Sequence, residues 1–184
     1  MENTQNLTEG NILGSLVRFA VPVLLSLFLQ ALYGGVDLLV VGQFASTADV
    51  SGVATGSMLL QTMTMIVTGL AMGITVVVGE RIGRREPVQA GRAIGSGICL
   101  FGVCAVFLTA VMAGGAEPLS VLMHAPEEAL SQTAAYVRIC GVGIFFIVAY
   151  NVLAAIFRGL GDSKSPLVFV AVACAINVVG DLVL

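Results

Sequence analysis

Five stretches of this 184-residue chain are each apolar for about the twenty residues that a helix needs to cross a ~30 Å hydrocarbon core. They fall at residues 19–44, 50–79, 93–115, 133–157 and 166–184. Inside lipid every backbone N–H and C=O has to be satisfied within the protein, which leaves helices or a closed barrel. Strand-like alternation is absent and glycine is abundant, at 22 residues, which favours packed helices. Charged residues make up 10% of the chain, where a soluble domain carries about 25%. The expected fold is all-α, a polytopic bundle of five membrane-spanning helices with the lipid bilayer as its surroundings. Nothing in the sequence points to a nucleic-acid partner.

The first eleven residues hold two Glu and no Lys or Arg, a poor start for a signal peptide, so the first apolar run reads as a retained span. The last run is still apolar at Leu184, which reads as a fragment of a longer protein. Cys99, Cys104, Cys140 and Cys174 all fall in apolar runs without a CxxC spacing, as small packing residues do.

Basic residues set the orientation. Arg18 precedes the first span; Arg81, Arg84, Arg85 and Arg92 lie between the second and third; Arg158 and Lys164 lie between the fourth and fifth. Only Arg138 falls on the other side. The positive-inside rule then places the N-terminus and both basic loops in the cytoplasm, for a protein of the inner membrane. The loop RIGRREPVQAGRA, residues 81–93, is basic and partly amphipathic; it could lie on the anionic inner leaflet, but an ordinary cytoplasmic loop obeying the charge rule is the expected reading. Glu117, Glu127, Glu128 and His124 face outward on this scheme.

Two acids break the apolar runs. Asp37 lies in the first and Asp181 in the fifth, and a carboxylate in hydrocarbon is costly enough to mark an ion or substrate path. Helical spacing puts Ser26, Gln30, Tyr33 and Asp37 on one narrow stripe, and Cys174, Asn177 and Asp181 on another. A third stripe, Ser57, Gln61, Thr64, Thr68 and Thr75, reads better as interhelical glue than as substrate contact. No Lys or Arg lies in the middle of any span to pair with the two acids. Their depths match: Asp37 lies about 28 Å along a helix from Arg18, and Asp181 about 26 Å from Lys164. Carboxylate and amide oxygens are hard ligands for a small hard cation, and the same pair could equally exchange a proton. Pro22 permits a bend in the first helix, and Gly34 and Gly35 soften it before Asp37. Glycines recur four apart at Gly52 and Gly56, Gly69 and Gly73, Gly79 and Gly83, and Gly91 and Gly95, a spacing suited to close helix packing.

Three stretches together resemble the multidrug and toxic compound extrusion (MATE) family. They are LYGGVDLLVVGQF at 32–44, FRGLGDSKSP at 157–166 and INVVGDLVL at 176–184. Pro22 also stands where that family has a first-helix proline. The resemblance implies five helices of a six-helix N-terminal lobe, with the sixth helix and the C-terminal lobe missing from this chain. It implies a cation-coupled antiporter, using Na+ or H+ and no other cofactor, that exports drugs and organic cations. It assigns the cation or proton site to Asp37, Asn177 and Asp181, with Na+ as the metal if one is used. Gln30, Tyr33, Tyr136 and Asn151 follow as cavity or supporting residues, and Pro22 as the hinge.

Three other readings are weighed. A lipid-linked oligosaccharide flippase of the same superfamily would share the lobe, but favours a basic cavity. A non-transporting scaffold would explain the glycines but not the two acids. An intramembrane enzyme would need a nucleophile or metal set, and no HExxH, GxSxG or paired His occurs within a span.

Overall fold

The computed structural model describes residues 12–183; the side chains of residues 12, 37, 38, 41, 44 and 181–183 lie outside that description. The described residues form helices and no strand. These are α1 (Ile12–Phe44), α2 (Thr47–Gly83), α3 (Pro87–Gly114), the short α4 (Ala116–Leu122), α5 (Leu130–Gly159) and α6 (Lys164–Val183), with a single 3-10 turn at Glu127–Ala129. Four of them contain segments long and apolar enough to cross a membrane, and the apolar part of α6 within the described residues, Lys164–Gly180, is shorter. The all-α architecture expected from the sequence is therefore present, with four helices long and apolar enough to span and a fifth that is apolar as far as the described residues reach.

The expected basic loop is not a loop. Helix α2 continues through Arg81 to Gly83 and α3 starts at Pro87, so only three residues connect them. The corner closes by a Schellman motif: Glu86 N–H donates to Arg81 O at 2.9 Å and Arg85 N–H to Ile82 O at 3.0 Å. Arg85 takes the left-handed position there, with φ 61°. Two ion pairs fold back over the corner, Arg81 to Glu86 at 2.9 Å and Arg84 to Glu80 at 2.7 Å. Pro87 suits the first helical turn, where a missing N–H costs nothing.

The described residues gather into two compact units. One holds α1 up to Asp37, Ala71–Ser96, and the chain from Leu153 onward. The other holds Leu38–Leu70 and Gly97–Val152.

In the first unit α2 and α5 run parallel at very close range. The Thr75 hydroxyl donates to Ala155 O at 2.9 Å, 80 residues further on. A Cβ at Gly159 would meet Val78 Cβ at 2.9 Å and Thr75 O at 3.0 Å, so only glycine fits. The turn from α5 to α6 is built from FRGLGDSKSP. Gly161 closes α5 with φ 84°, and the N–H of Asp162 donates to Phe157 O at 2.8 Å. Asp162 is itself buried, and its carboxylate caps α6. Its Oδ1 accepts from the N–H of Lys164 and of Ser165, each at 3.0 Å, and Oδ2 accepts from the Ser165 hydroxyl at 2.5 Å. Burial raises the Asp162 pKa, but the hydrogen bonds from Ser165 and Lys164 and the charge of Lys164 outweigh it, and the carboxyl titrates below its ordinary value. Phe157 and Phe169 pack edge to face beyond the turn, with centroids 5.9 Å apart. The two helices thus meet at a corner closed by backbone bonds at the end of α5 and by the Asp162 cap at the start of α6.

In the second unit the core is Leu59, Met112, Ala116, Val137 and Ile144, drawn from α2, α3, α4 and α5. Gly141 lies against Met112 and Ala113 of α3, Gly52 against Gln132 and Thr133, and Gly56 against the ring of Tyr136, all closer than a Cβ would allow. Of the glycine pairs marked by four-residue spacing, only Gly52 and Gly56 sit in such tight contacts; Gly69, Gly73, Gly83, Gly91 and Gly95 face open space and Gly79 makes an ordinary contact.

Candidate functional site

The polar stripe of α1 is its inward face. Pro22 and Ser26 are buried, Gln30 and Tyr33 half-buried, and Leu24, Leu25, Leu27, Phe28 and Leu32 are exposed. An apolar solvent rewards this inversion, since the lipid-facing side has to be the apolar one. Ser26 donates its hydroxyl to Pro22 O at 2.9 Å. Helix α1 runs unbroken through Pro22, the residue that the resemblance assigns as a hinge.

Helix α6 repeats the pattern. Val170 and Cys174 are buried and Asn177 half-buried, while Val172, Ile176 and Val179 are exposed. Asn177 and Asp181, four apart on this helix, share a face. The Oδ1 atom of Asn177 is buried and accepts no hydrogen bond among the described residues. A buried amide carbonyl without a donor costs roughly 1–3 kcal/mol, so it calls for an explanation such as strain, a water or a bound ion. Two further orphaned oxygens, Thr109 Oγ1 and Gln132 Oε1, belong to the other unit.

Asp37, Asn177, Asp181, Gln30 and Tyr33 all belong to the first unit. The side chains of Asp37 and Asp181 lie outside the described residues, so the oxygen that the structure places is that of Asn177. Its chemistry suits the expected ligand set: a neutral carbonyl oxygen beside a carboxylate is a donor for a hard cation such as Na+, and it serves equally as an acceptor for a protonated carboxyl. Among the described residues no cluster of three His, Cys, Asp or Glu exists that would suit a transition metal.

Tyr136 and Asn151 belong to the second unit. Asn151 is buried and its polar atoms are engaged: Oδ1 accepts from the Thr68 hydroxyl at 2.7 Å, and Nδ2 donates to Ile147 O at 2.8 Å. In this arrangement Asn151 ties α5 to α2. From the polar stripe of α2, Thr68 and Thr75 make such interhelical bonds, Ser57 bonds its own helix at Ala54 O, and Gln61 is exposed. Sequence reasoning assigned no role to Asp162, although Gly-Asp followed by Ser, with Pro166 in the first turn of the helix, is a capping signal.

The MatE family pattern matches residues 22–183. Among curated proteins the chain is 28% identical over 179 residues to a probable multidrug resistance protein, YpnP, of Bacillus subtilis, covering 94% of this chain and 39% of the relative. It is 24% identical to a probable multidrug resistance protein, NorM, of Oceanobacillus iheyensis, covering 89% of this chain and 36% of the relative. Among solved structures it matches a transporter of the MOP superfamily from Pyrococcus furiosus with a TM-score of 0.88 and 25% identity, over 98% of this chain and 40% of that one. That structure is described as having a binding pocket of reverse polarity that suggests a different function. The chain spans about two fifths of the length of the proteins it matches.

Proposed function

Because this chain belongs to the MatE family, we propose that it is part of the N-terminal lobe of a cation-coupled antiporter that exports drugs and organic cations. The observation that carries the reading is the orphaned carbonyl of Asn177, on the same face of α6 as Asp181 and in the same compact unit as Asp37. The coupling ion, Na+ or H+, engages Asp37, Asn177 and Asp181. Its arrival changes the charge at the end of the inward stripe of α1, and that change is transmitted along α1 toward Pro22, where the helix is easiest to bend. Alternating occupancy follows: the ion and the drug bind in turn. The remaining lobe, absent from this chain, completes the translocation path, and the N-terminus lies on the cytoplasmic side of the inner membrane. The names of the bacterial relatives, which are multidrug resistance proteins, support this reading. Nothing in it requires an enzymatic step.

The test is drug export by cells carrying the full-length protein with Asp37→Asn or Asp181→Asn. Both variants are expected to lose ion-dependent resistance. Undiminished resistance with unchanged ion dependence in both would overturn the proposal. The second reading is a flippase for an anionic lipid-linked cargo, favoured by the reversed pocket polarity reported for the solved relative. It predicts that resistance is indifferent to both acids and that an anionic lipid, rather than an organic cation, competes for the cleft.

A further inference from the structure

The exposed surface of α2 between Thr47 and Leu70 has two unlike sides. Ile66 and Leu70 lie on one, apolar as a lipid-facing side has to be. Met58, Gln61, Thr62, Met65 and Gly69, all exposed, lie on the other, within an arc of about 100°. Both sides belong to the same compact unit. Helix α2 carries no charged residue between Asp49 and Glu80. A hydrocarbon core of about 20 residues set anywhere between those two contains residues 60–69, so Gln61 lies inside it. Thr62 satisfies its hydroxyl on its own helix, donating to Met58 O at 2.8 Å. Thr68, of the same polar stripe as Gln61, is engaged by Asn151. The Gln61 amide makes no hydrogen bond among the described residues, although it carries two N–H donors and a carbonyl acceptor. Hydrocarbon offers a partner to neither, so lipid is the wrong cover for this side.

The methionines narrow the choice of what does cover it. Met63, Met112 and Met123 pack in or against the core of this unit, as gap-filling methionines do. Met58 and Met65, two turns apart, present their thioethers outward instead. A flexible, polarizable side chain suits a ligand of variable shape, and its sulfur makes favourable contacts with aromatic rings. Gly69, where an added Cβ would meet nothing within 4 Å, leaves the surface flat one turn beyond Met65. We propose that Met58, Gln61 and Met65 form a binding face for planar aromatic cations that carry N–H groups. The thioethers pack on the ring system, and the Gln61 carbonyl accepts from an N–H of the cation. The face holds no carboxylate, so it selects by shape and hydrogen bonding rather than by charge. This inference rests on the export reading above and gives its cargo a place on α2.

The experiment titrates the full-length protein in lipid nanodiscs with two cations, followed by isothermal calorimetry. Ethidium is planar and aromatic with two amino groups; tetraphenylphosphonium is neither planar nor an N–H donor. Gln61→Leu is expected to weaken ethidium by about fivefold and to leave tetraphenylphosphonium unchanged. Met65→Leu should weaken ethidium by about threefold. Ile66→Ala, on the lipid side, should change neither. Met65→Cys should react with a water-soluble maleimide above the background of the native cysteines, and saturating ethidium should slow that reaction severalfold. A Met65→Cys thiol that stays unlabelled, because lipid or a further helix covers it, would overturn the proposal. So would labelling that ethidium does not slow, unchanged ethidium affinity in Gln61→Leu, or an equal loss of tetraphenylphosphonium in that variant. Unchanged ethidium affinity in Gln61→Leu, beside lost ion-dependent resistance in Asp37→Asn, would end this proposal and leave the export reading standing. Ethidium held at this face, beside undiminished resistance in both acid variants, would do the reverse.

Discussion

Thr75 on α2 hydrogen-bonds the main-chain carbonyl of Ala155 on α5 at 2.9 Å, and one turn beyond that carbonyl Gly159 packs against the backbone of Thr75. The hydroxyl and the missing side chain are complementary: the glycine brings the two helices close enough for the hydroxyl to reach across. Thr75→Val keeps the shape and removes the bond, and is expected to destabilise the protein by about 0.6–1.7 kcal/mol. Gly159→Ala forces a Cβ into Val78 and Thr75, and should cost more, about 1–3 kcal/mol. Gly69→Ala, which meets nothing within 4 Å, should cost nothing. Thermal unfolding in detergent, followed by a buried-thiol label on Cys174, ranks the three.

Asp162 controls the corner between α5 and α6. Asp162→Ala removes the acceptor of two backbone N–H groups and a hydroxyl, and is expected to lower stability by about 0.5–2 kcal/mol. Because its pKa is depressed in the folded protein, its contribution is complete above the unfolded carboxyl pKa of about 3.9 and is lost as pH falls through the lower folded value. Unfolding midpoints measured downward from neutral pH should therefore fall less steeply near pH 4 and below in Asp162→Asn than in the wild type.

Asn177 separates binding from folding. Its Oδ1 makes no hydrogen bond among the described residues, so Asn177→Ala breaks none there and should leave the unfolding midpoint unchanged or raise it. On the proposed function, the same variant should weaken binding of the coupling ion by about tenfold, because the proposal makes Asn177 one of its few ligands. A fall in stability without a change in ion dependence would assign Asn177 a packing role instead.

His124 holds the left-handed position, φ 55°, that closes α4, with its N–H donating to Val121 O at 2.9 Å. A side chain with a Cβ is strained there and glycine is not. His124→Gly is expected to raise stability by about 0.5–1 kcal/mol, and His124→Val to lower it, in the same unfolding assay.

The spans, their order and the polar stripes were legible because hydropathy and helical period are local properties. The inward placement of Ser26 on α1 and of Cys174 on α6 follows directly from the polarity pattern read in an apolar solvent. Helix ends were less legible. Arg81 and Glu80 look like loop residues by charge, yet continue α2, because charged side chains at a helix end reach the headgroup layer while their backbone stays helical. Glycine spacing misled most. Gly141 and Gly159 make tight contacts and have no partner four residues away, whereas Gly69 and Gly73 have the spacing and face open space. Close approach depends on what lies opposite, and a single helix's sequence does not contain that. The role of Asn151 was obscure for the same reason, since its partner Thr68 is 83 residues distant.

The close pairing of α2 with α5 has a consequence for the order of assembly. Thr75 meets its carbonyl only after a further 80 residues have been made, a wait of roughly 4–16 s at ribosomal speeds. During that time α2 and α3, joined by a three-residue corner, exist as a hairpin whose threonine and small-residue side faces lipid or the insertion machinery. Helix α5 then has to find a parallel seat on a hairpin already in place, and the side chain that Gly159 lacks lets it settle against Thr75 and Val78.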